Sequence, residues 1–471
     1  MNKPLLYSFL IALVGCGSIE KKSPGAFFAG EIVNPTSEYV VLFKDDIIID
    51  SAKLDGENRF SIQLDTVVEG LYHFDHSPEL QYVYLEKGDS LMIRLNTEDF
   101  DESLIFSGRG EEINNFLVEF FLSTESEPAL VYSYSELGPK DFSHKLDSLK
   151  EIKVNALNEI VAEVTLSPKA ADMAKASIDY NYYIYKEKYP FWNRRKTGRD
   201  TIPALPNNFY DYRKLVDYNN ENLSYHRYYY NFMKTHFNNL TYMGCYTKCK
   251  DAHYEIVKNK LHFNQHKLKL IDSLVTEKDL RDNLFRNVAM DYLINVHDTD
   301  ENNRIFIDDF HRLSGNNRHS AEIEAIYQGV NNLQPSNKMP NISVINTNGT
   351  LVTLQEIAEK EKNAVFYFWS GTQRSNFENV LTRVAQLSEN KPEFTFIGIN
   401  CNTDALRWQS LLSSNQLDME KQFRTDDFEN LKNALVIGGL NKGIITKDGL
   451  IVDAFADLYT SFQIAFNSFF G

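Results

Sequence analysis

An uninterrupted run of apolar and aromatic residues, Ala364 to Trp369, constrains the fold of this chain more than any other segment. Such a run is typical of a parallel strand that is buried on both faces of its sheet. A short turn follows, and residues 376–387 then place apolar side chains at helical spacing. These side chains are Phe377, Val380, Leu381 and Val384. The pattern therefore predicts a buried strand, a turn and a helix.

Similar elements fill the rest of the last third of the chain. Asn348–Gly349 and Asp448–Gly449 each stand between short extended runs, which is the strongest local signal for a tight hairpin. Residues 394–399 predict a second buried strand, and residues 405–412 predict a helix. The resulting order β, α, β, α, β, β resembles that of TlpA/ResA-like thioredoxin domains. The resemblance implies a thioredoxin-like α/β domain over residues 335–471.

That family ends its central strand with a Phe-Trp pair and places Cys-x-x-Cys at the start of the next helix. The resemblance implies that Gln373 and Asn376 occupy the two cysteine positions, that Leu440 occupies the position of a cis-proline, and that Tyr367 replaces a buried acid. A helix N-terminus stabilises a thiolate, and neither amide supplies one. A leucine does not readily adopt a cis peptide. We therefore predict that the domain has lost its redox chemistry and has no catalytic residue.

A site of this kind that has lost its two cysteines still offers a crevice, because ligands of open α/β sheets bind at the carboxyl ends of the strands. We expect a non-covalent contact surface around Trp369, Gln373, Arg374 and Asn376. Arg374 at the start of a helix either attracts an anionic group or is simply solvated.

The N-terminus carries an export signal. Lys3 precedes an apolar run, residues 5–14, that is too short to span a bilayer. The run ends in Leu13-Val14-Gly15-Cys16, which resembles a bacterial lipobox and implies cleavage before Cys16 and acylation of it. An ordinary secretory signal is the alternative. With two or more acyl chains the mature protein would be held at a membrane by its lipid, and we expect the outer membrane, facing the periplasm.

Composition excludes several classes of protein. At 471 residues and 43% hydrophobic content the chain is long enough for two or three domains with large cores. A net charge of −16 argues against binding of nucleic acid and against electrostatic adhesion to anionic lipid. The expected partners are the membrane, through the lipid anchor, and an unidentified protein, peptide or glycan of the envelope. We predict no cofactor and no metal.

The pattern predicts a multidomain α+β chain. After the signal peptide (1–16) and a tether (17–25), residues 26–110 alternate apolar and polar positions, as at Phe60, Ile62 and Leu64, and predict a β-sandwich or barrel. With Lys87-Gly88-Asp89 before an apolar strand, this part resembles the β-domain of unknown function that commonly precedes TlpA-like domains. Residues 111–334 change to helical spacing and predict a helical region. Residues 335–340 are predicted to be a linker.

Aromatic residues and cations alternate within residues 177–199 of the helical region. They include Tyr180, Tyr182, Tyr183, Tyr185, Tyr189 and Trp192, followed by Arg194, Arg195, Lys196 and Arg199. Such a segment is either a recognition surface for glycan or peptide or a helix that packs in a core with wetted hydroxyls, and the second interpretation is favoured.

The remaining cysteines allow an alternative function. Cys245 and Cys249 form either a disulfide, a displaced redox pair, or a metal site with histidines one helical turn apart, His253, His262 and His266. Cys401 follows the second buried strand and is either a peroxidase-like nucleophile or a small buried residue. A disulfide and a buried Cys401 are favoured. The alternative function is a thiol-disulfide or peroxide oxidoreductase that uses Cys245 and Cys249 or Cys401.

Overall fold

The structure, a computed structural model, describes residues 24–245, 252–253, 256–257, 259–372 and 374–462. The chain divides into two compact units. The first comprises the residues up to Leu215 together with Asn222–Phe232, and the second comprises Val216–Glu221 together with the residues from Met233 onward. The predicted domain boundaries at residues 110 and 334 stay predictions.

The described part of the first unit begins with eight strands. In chain order they are β1 (Ala26–Val33), β2 (Tyr39–Lys44), β3 (Ile47–Lys53), β4 (Arg59–Leu64), β5 (Gly70–His76), β6 (Glu79–Leu85), β7 (Ser90–Asn96) and β8 (Ile105–Arg109). One sheet has the order β4-β1-β7-β8 and the other has the order β3-β2-β5-β6. β1 and β7 are parallel, whereas the other strand pairs of these two sheets are antiparallel.

One hydrophobic core joins the two sheets. Phe28 of the first sheet packs against Phe74 of the second, with ring centroids 5.4 Å apart. Phe60, Ile62 and Leu64 are all buried in this core, which confirms the predicted alternation of buried and exposed positions.

Helices follow the strands in the first unit. They are α1 (Phe100–Ser103), α2 (Glu111–Glu125), α3 (Glu127–Tyr134), α4 (Pro139–Glu163) and α5 (Pro168–Thr197). Tyr180, Tyr182, Tyr185 and Tyr189 of α5 are all buried. Of these, Tyr182 donates to Glu127 and Tyr189 donates to the carbonyl of Leu137. The burial of these four residues confirms the interpretation that the tyrosine-rich helix packs in a core. The hydrogen bonds of Tyr182 and Tyr189 supply the partners that buried hydroxyls need.

Further helices continue the chain into the second unit. They are α6 (Arg227–Gly244), α7 (Lys260–Leu274), α8 (Lys278–Asn295), α9 (Asp300–Ser314) and α10 (Ser320–Asn332). Two short strands, β9 (Ala252–His253) and β10 (Ile256–Val257), form an antiparallel pair between α6 and α7. The metal-site alternative required a helical stripe from Cys245 to His253, and that condition is not met, because His253 lies in a strand. His262 and His266 do lie one turn apart in α7.

Among the described residues, the second unit continues with a seven-stranded sheet and four helices. Its elements are β11 (Ser343–Asn346), β12 (Leu351–Thr353), α11 (Leu354–Lys360), β13 (Asn363–Trp369), α12 (Arg374–Asn390), β14 (Thr395–Asn400), α13 (Ala405–Ser414), β15 (Gln422–Arg424), α14 (Phe428–Ala434), β16 (Lys442–Lys447) and β17 (Leu450–Asp457). The strand order is β12-β11-β15-β14-β13-β16-β17. β13 is an interior strand, parallel to β14 and antiparallel to β16.

Both predicted hairpins of this sheet are confirmed. β11 pairs with β12 around Gly349, whose φ is 81°, and β16 pairs with β17 around Asp448 and Gly449, whose φ values are 50° and 80°. Two consecutive residues with positive φ match the twist of an antiparallel pair, which is why Asp-Gly suits this turn. The predicted order lacked β15 and α14, which stand between α13 and β16.

The segment predicted to be a linker is held against the sheet. Lys338 forms a β-bridge with Leu450, and Ser336 donates its N–H to the carbonyl of Ile451 at 2.8 Å. Met339 is 1% exposed. Residues 336–339 therefore extend the hydrogen bonding of β17 instead of forming a free connection. None of the helices in the part of the chain that the structure describes is both long and apolar enough to cross a bilayer.

Candidate functional site

The candidate site lies where β13 and β14 end. The two strands are parallel, so their carboxyl ends meet at the same edge of the sheet. The N–H of Cys401 donates to the carbonyl of Trp369 at 2.8 Å, which continues the pairing one residue beyond β14. The turn of residues 370–372 and the loop of residues 401–404 therefore start side by side.

The turn after β13 is anchored to the loop after β14. Thr403 Oγ1 accepts a hydrogen bond from the N–H of Gly371 at 2.8 Å and another from the Asn400 amide at 3.1 Å. A Cβ on Gly371 would lie only 2.5 Å from Leu411 Cδ1, so a larger residue here would have to displace that side chain. The hydroxyls of Ser370 and Thr372 are hydrogen-bonded to each other at 2.8 Å. The backbone of the turn is thus fixed by short polar side chains.

A chain of buried hydrogen bonds lies beneath the turn. Trp369 Nε1 donates to Gln422 Oε1 at 3.1 Å, and Gln422 Nε2 donates to the hydroxyl of Tyr367 at 2.9 Å. Trp369 also packs against Phe377, with ring centroids 5.0 Å apart. A Cβ on Gly398 would lie 2.2 Å from Gln422 Oε1, so the amide occupies the space above a glycine.

Tyr367, which the resemblance places at the position of a buried acid, cannot act as a proton acceptor at neutral pH. Burial raises the pKa of its hydroxyl to about 12, and only the amide of Gln422 opposes that shift. The phenol is therefore protonated and acts here as a neutral hydrogen-bond acceptor for Gln422. A thiol near this position would therefore find no group here that could accept its proton.

Cys401 is a buried thiol. It is 1% exposed, and burial raises its pKa to about 12. Its Sγ lies 3.7 Å from the carbonyl oxygen of Ile399. The prediction that Cys401 is a small buried residue is confirmed, because a nucleophilic cysteine needs both access and a lowered pKa.

The other residues predicted at this site fall in three places. Gln373 lies outside the described residues. Arg374 and Asn376 are the first and third residues of α12. Leu440 is half-buried in the loop between α14 and β16. In the part of the chain that the structure describes, the only cis peptide precedes Pro78, so Leu440 follows a trans peptide.

Cys245 lies elsewhere, directly after α6. It is buried, and its Sγ is 3.3 Å from His266 Nδ1 of α7. The rings of His262 and His266 have centroids 6.3 Å apart. Cys249, the predicted disulfide partner, lies outside the described residues, as does Cys16. Among the residues that are described, no three or more His, Cys, Asp or Glu side chains form a group that could hold a metal ion.

Searches among known proteins give partial matches. A thioredoxin-like protein from Bacteroides caccae is 13% identical and matches 55% of this chain and 94% of its own, with a TM-score of 0.33. The thioredoxin domain of a thiol-disulfide oxidoreductase from Bacteroides vulgatus is 21% identical over 26% of this chain and 86% of its own, with a TM-score of 0.21. A thiol:disulfide interchange protein from a Bacteroides species is 20% identical over 26% of this chain and 80% of its own, also with a TM-score of 0.21.

Each of these proteins is similar to a part of the chain. No protein-family model matches the sequence, and no curated protein matches it either. Identities and TM-scores this low support no statement about activity. The order and direction of the strands around β13 describe the domain better than any one relative does.

Sequence reasoning missed the residues that hold the site together. Thr403 and Gln422 are both buried, and each bonds to two of the other site residues. Gln422 is separated from Tyr367 by 55 positions, so no local spacing connects them. The only signal available was chemical, since a buried tryptophan and a buried tyrosine on one strand both need a polar partner.

Proposed function

We propose that this protein is a membrane-tethered lipoprotein whose thioredoxin-like domain is redox-inactive and serves in binding or scaffolding. The observation that carries the proposal is the state of Cys401, the one thiol near the strand ends among the described residues. It is 1% exposed with a pKa of about 12. Thiol-disulfide exchange requires an accessible thiolate, and this residue provides neither access nor charge.

The sequence adds the second support. Gln373 and Asn376 stand where the resemblance implies the two cysteines. The protonated phenol of Tyr367 stands where the resemblance implies an acid. The turn of residues 370–372, directly after β13, is nevertheless anchored by the hydrogen bond from the N–H of Gly371 to Thr403. A preserved scaffold without a reactive group fits non-covalent recognition, because such a surface needs fixed geometry and no chemistry.

The tether rests on the residues before Cys16 and on its acylation. Metabolic labelling with palmitate would give a labelled protein, and Cys16→Ala would abolish the label and release the protein from the membrane fraction. Protease added to intact cells and to cells with a permeabilised outer membrane would then report which side of that membrane it faces. Membrane retention of the Cys16→Ala protein would contradict the anchor.

Redox inactivity is tested with the reduction of insulin by dithiothreitol. We expect the full chain to give the uncatalysed rate, and we expect no change when Cys245, Cys249 and Cys401 are all replaced by alanine. A thioredoxin run in parallel serves as the positive control. Catalysis by the natural chain that disappears in the cysteine-free variant would overturn the proposal.

A second candidate function, thiol-disulfide or peroxide chemistry, is favoured by one contact. The Sγ of Cys245 lies 3.3 Å from His266 Nδ1, and a neighbouring imidazole is one of the groups that can activate a thiol. This candidate predicts fast alkylation by iodoacetamide below about pH 8, and predicts that His266→Gln slows it. Slow alkylation that His266→Gln does not change would dispose of this candidate.

A further inference from the structure

A cleft of about 620 Å³ lies within the second unit, on the face of the sheet away from Trp369. Ala456 packs in the same cluster as Trp369, and its neighbours Phe455 and Asp457 point to the opposite face because side chains alternate along a strand. Phe455 and Asp457 line the cleft, and the last turns of α8 form its other wall. Its volume lies in the range of about 300–1,000 Å³ that is usual for small-molecule sites.

The carboxylates of the cleft already have partners within the protein. Asp457 accepts a hydrogen bond from the N–H of Tyr459 at 2.8 Å and from the side-chain amide of Asn441. Asp291 accepts from the side-chain amide of Asn295 at 3.0 Å. A cationic ligand would therefore compete with existing hydrogen bonds for these oxygens.

The cation of the cleft is likewise engaged. The ammonium of Lys442 donates to the carbonyls of Leu435 and Val436, at 2.7 and 3.1 Å, where it caps the end of α14. It also lies 4.1 Å from the ring centroid of Phe455, and the imidazole of His297 stacks on the same ring at 4.5 Å. An anionic ligand would have to displace these carbonyls from the ammonium and would face two carboxylates.

Several uncharged groups of the cleft have no hydrogen-bond partner in the part of the protein that the structure describes. Within the described residues, the side-chain amide of Asn287 and the N–H groups of Gly438 and Gly439 make no hydrogen bond to the protein. All three residues line the cleft. The exposed imidazole of His297 adds a flat surface on the same wall. The cleft thus offers amide donors and acceptors beside an aromatic face, and each of its charged groups already holds a hydrogen bond within the protein.

We propose that this cleft binds a neutral saccharide. A sugar hydroxyl both donates and accepts, which matches free amide and backbone groups, and the C–H face of a sugar ring packs against an aromatic ring. A charged ligand would have to displace hydrogen bonds that Asp291, Asp457 or Lys442 already make, whereas a neutral sugar would not. The proposal is independent of the thiols and of the surface around Trp369.

The test uses the full chain and neutral sugars. Saturation-transfer NMR would be recorded with glucose, galactose, N-acetylglucosamine and their β-1,4-linked disaccharides at millimolar concentration. We expect a signal from at least one of them. An N-acetylated, C-amidated trialanine is the competing uncharged probe, and glucose 6-phosphate and glucosamine are the charged ones.

Two variants localise the binding. A Cβ on Gly438 would meet only Ile294 Cγ2, at 3.9 Å, so Gly438→Leu fits the backbone and fills the cleft. Gly138→Leu is the matched control, because a Cβ there meets nothing within 4 Å and the residue lies in the first unit. Asn287→Ala removes a free amide without breaking a hydrogen bond. We expect Gly438→Leu and Asn287→Ala each to weaken binding by at least about tenfold, and Gly138→Leu to leave it unchanged.

Three outcomes would overturn the proposal. One is the absence of a signal from every neutral sugar. Another is sugar binding that both cleft variants leave intact, which would place the sugar elsewhere. The third is stronger binding of the blocked peptide or of a charged sugar than of any neutral sugar. If Gly438→Leu does not fold by circular dichroism, Asn287→Ala alone decides the location.

Discussion

The hydrogen bonds of Gln422 allow a direct test of how the candidate site is held. Gln422 is 4% exposed, and it joins the indole of Trp369 to the hydroxyl of Tyr367. Gln422→Leu keeps a side chain of similar size and removes both bonds. Trp369 and Tyr367 are 0% and 2% exposed, so neither polar atom can turn to solvent. Both would stay buried without a partner.

The magnitude follows from the number of stranded groups. A buried polar group that loses its partner costs about 1–3 kcal/mol. Two such groups predict that Gln422→Leu lowers the free energy of unfolding by about 2–6 kcal/mol. Adding Tyr367→Phe to that variant removes one stranded group and should restore about 1–3 kcal/mol. In the natural background the same Tyr367→Phe change should destabilise, because it deprives Gln422 of its acceptor.

The change of sign between the two backgrounds is the decisive observation. Guanidinium unfolding of the full chain, followed by tryptophan fluorescence, gives the free energies, and hydrogen exchange of residues 363–369 assigns the loss to β13. Gln409→Leu on the exposed side of α13 is the matched control and should change stability by less than about 0.5 kcal/mol. If Tyr367→Phe destabilises both backgrounds equally, the reasoning is refuted.

Three further predictions concern neighbouring contacts. Thr403→Val removes the acceptor of the buried Gly371 N–H and should cost about 1–3 kcal/mol, with faster hydrogen exchange of residues 370–372; unchanged exchange would contradict it. Arg383 donates to three carbonyls after β17, so Arg383→Met should speed proteolysis of residues 458–462 without altering circular dichroism; equal cleavage rates would refute the contact. Burial lowers the pKa of Lys442 to about 7 from 10.5, and the unfolded chain therefore binds more protons between these values. The free energy of unfolding should rise there by up to about 1.4 kcal/mol per pH unit, and Lys442→Met should lack this rise; identical pH profiles would be evidence against it.

The sequence predicted best those strands and turns that depend on residues close together in the chain. The buried run of β13 and the Asp448–Gly449 hairpin follow from apolar patterning and from turn chemistry that a few residues contain. β15 was missed because its three residues, Gln422–Arg424, are too short to show a period. The capping of α14 by Lys442 was missed for a different reason, since a lone lysine at the start of a strand has no local signal.

For the N-terminal strands, the sequence predicted which residues are buried but not which strands pair. Alternation predicted that Phe60, Ile62 and Leu64 face a core, and they do. It could not predict that β1 pairs in parallel with β7, because alternation fixes which side chains are buried and not which strands are neighbours. Pairing depends on contacts between residues that are distant in the sequence, and these carry no periodic signature.

The alternation of side chains in the last sheet separates the two proposed sites and makes their tests independent. Gly443 pairs with Tyr367, whereas the adjacent Lys442 pairs with Asp457 and lies on the other face. A change confined to Gln422 should therefore leave sugar signals intact as long as the domain stays folded. Gly438→Leu should remove sugar binding while Cys401 stays as slow to alkylate as before. If one variant altered both sugar binding and the alkylation of Cys401 in a folded protein, a change on one face of the sheet would have to affect the other face. The two separate sites would then be replaced by a single connected binding surface.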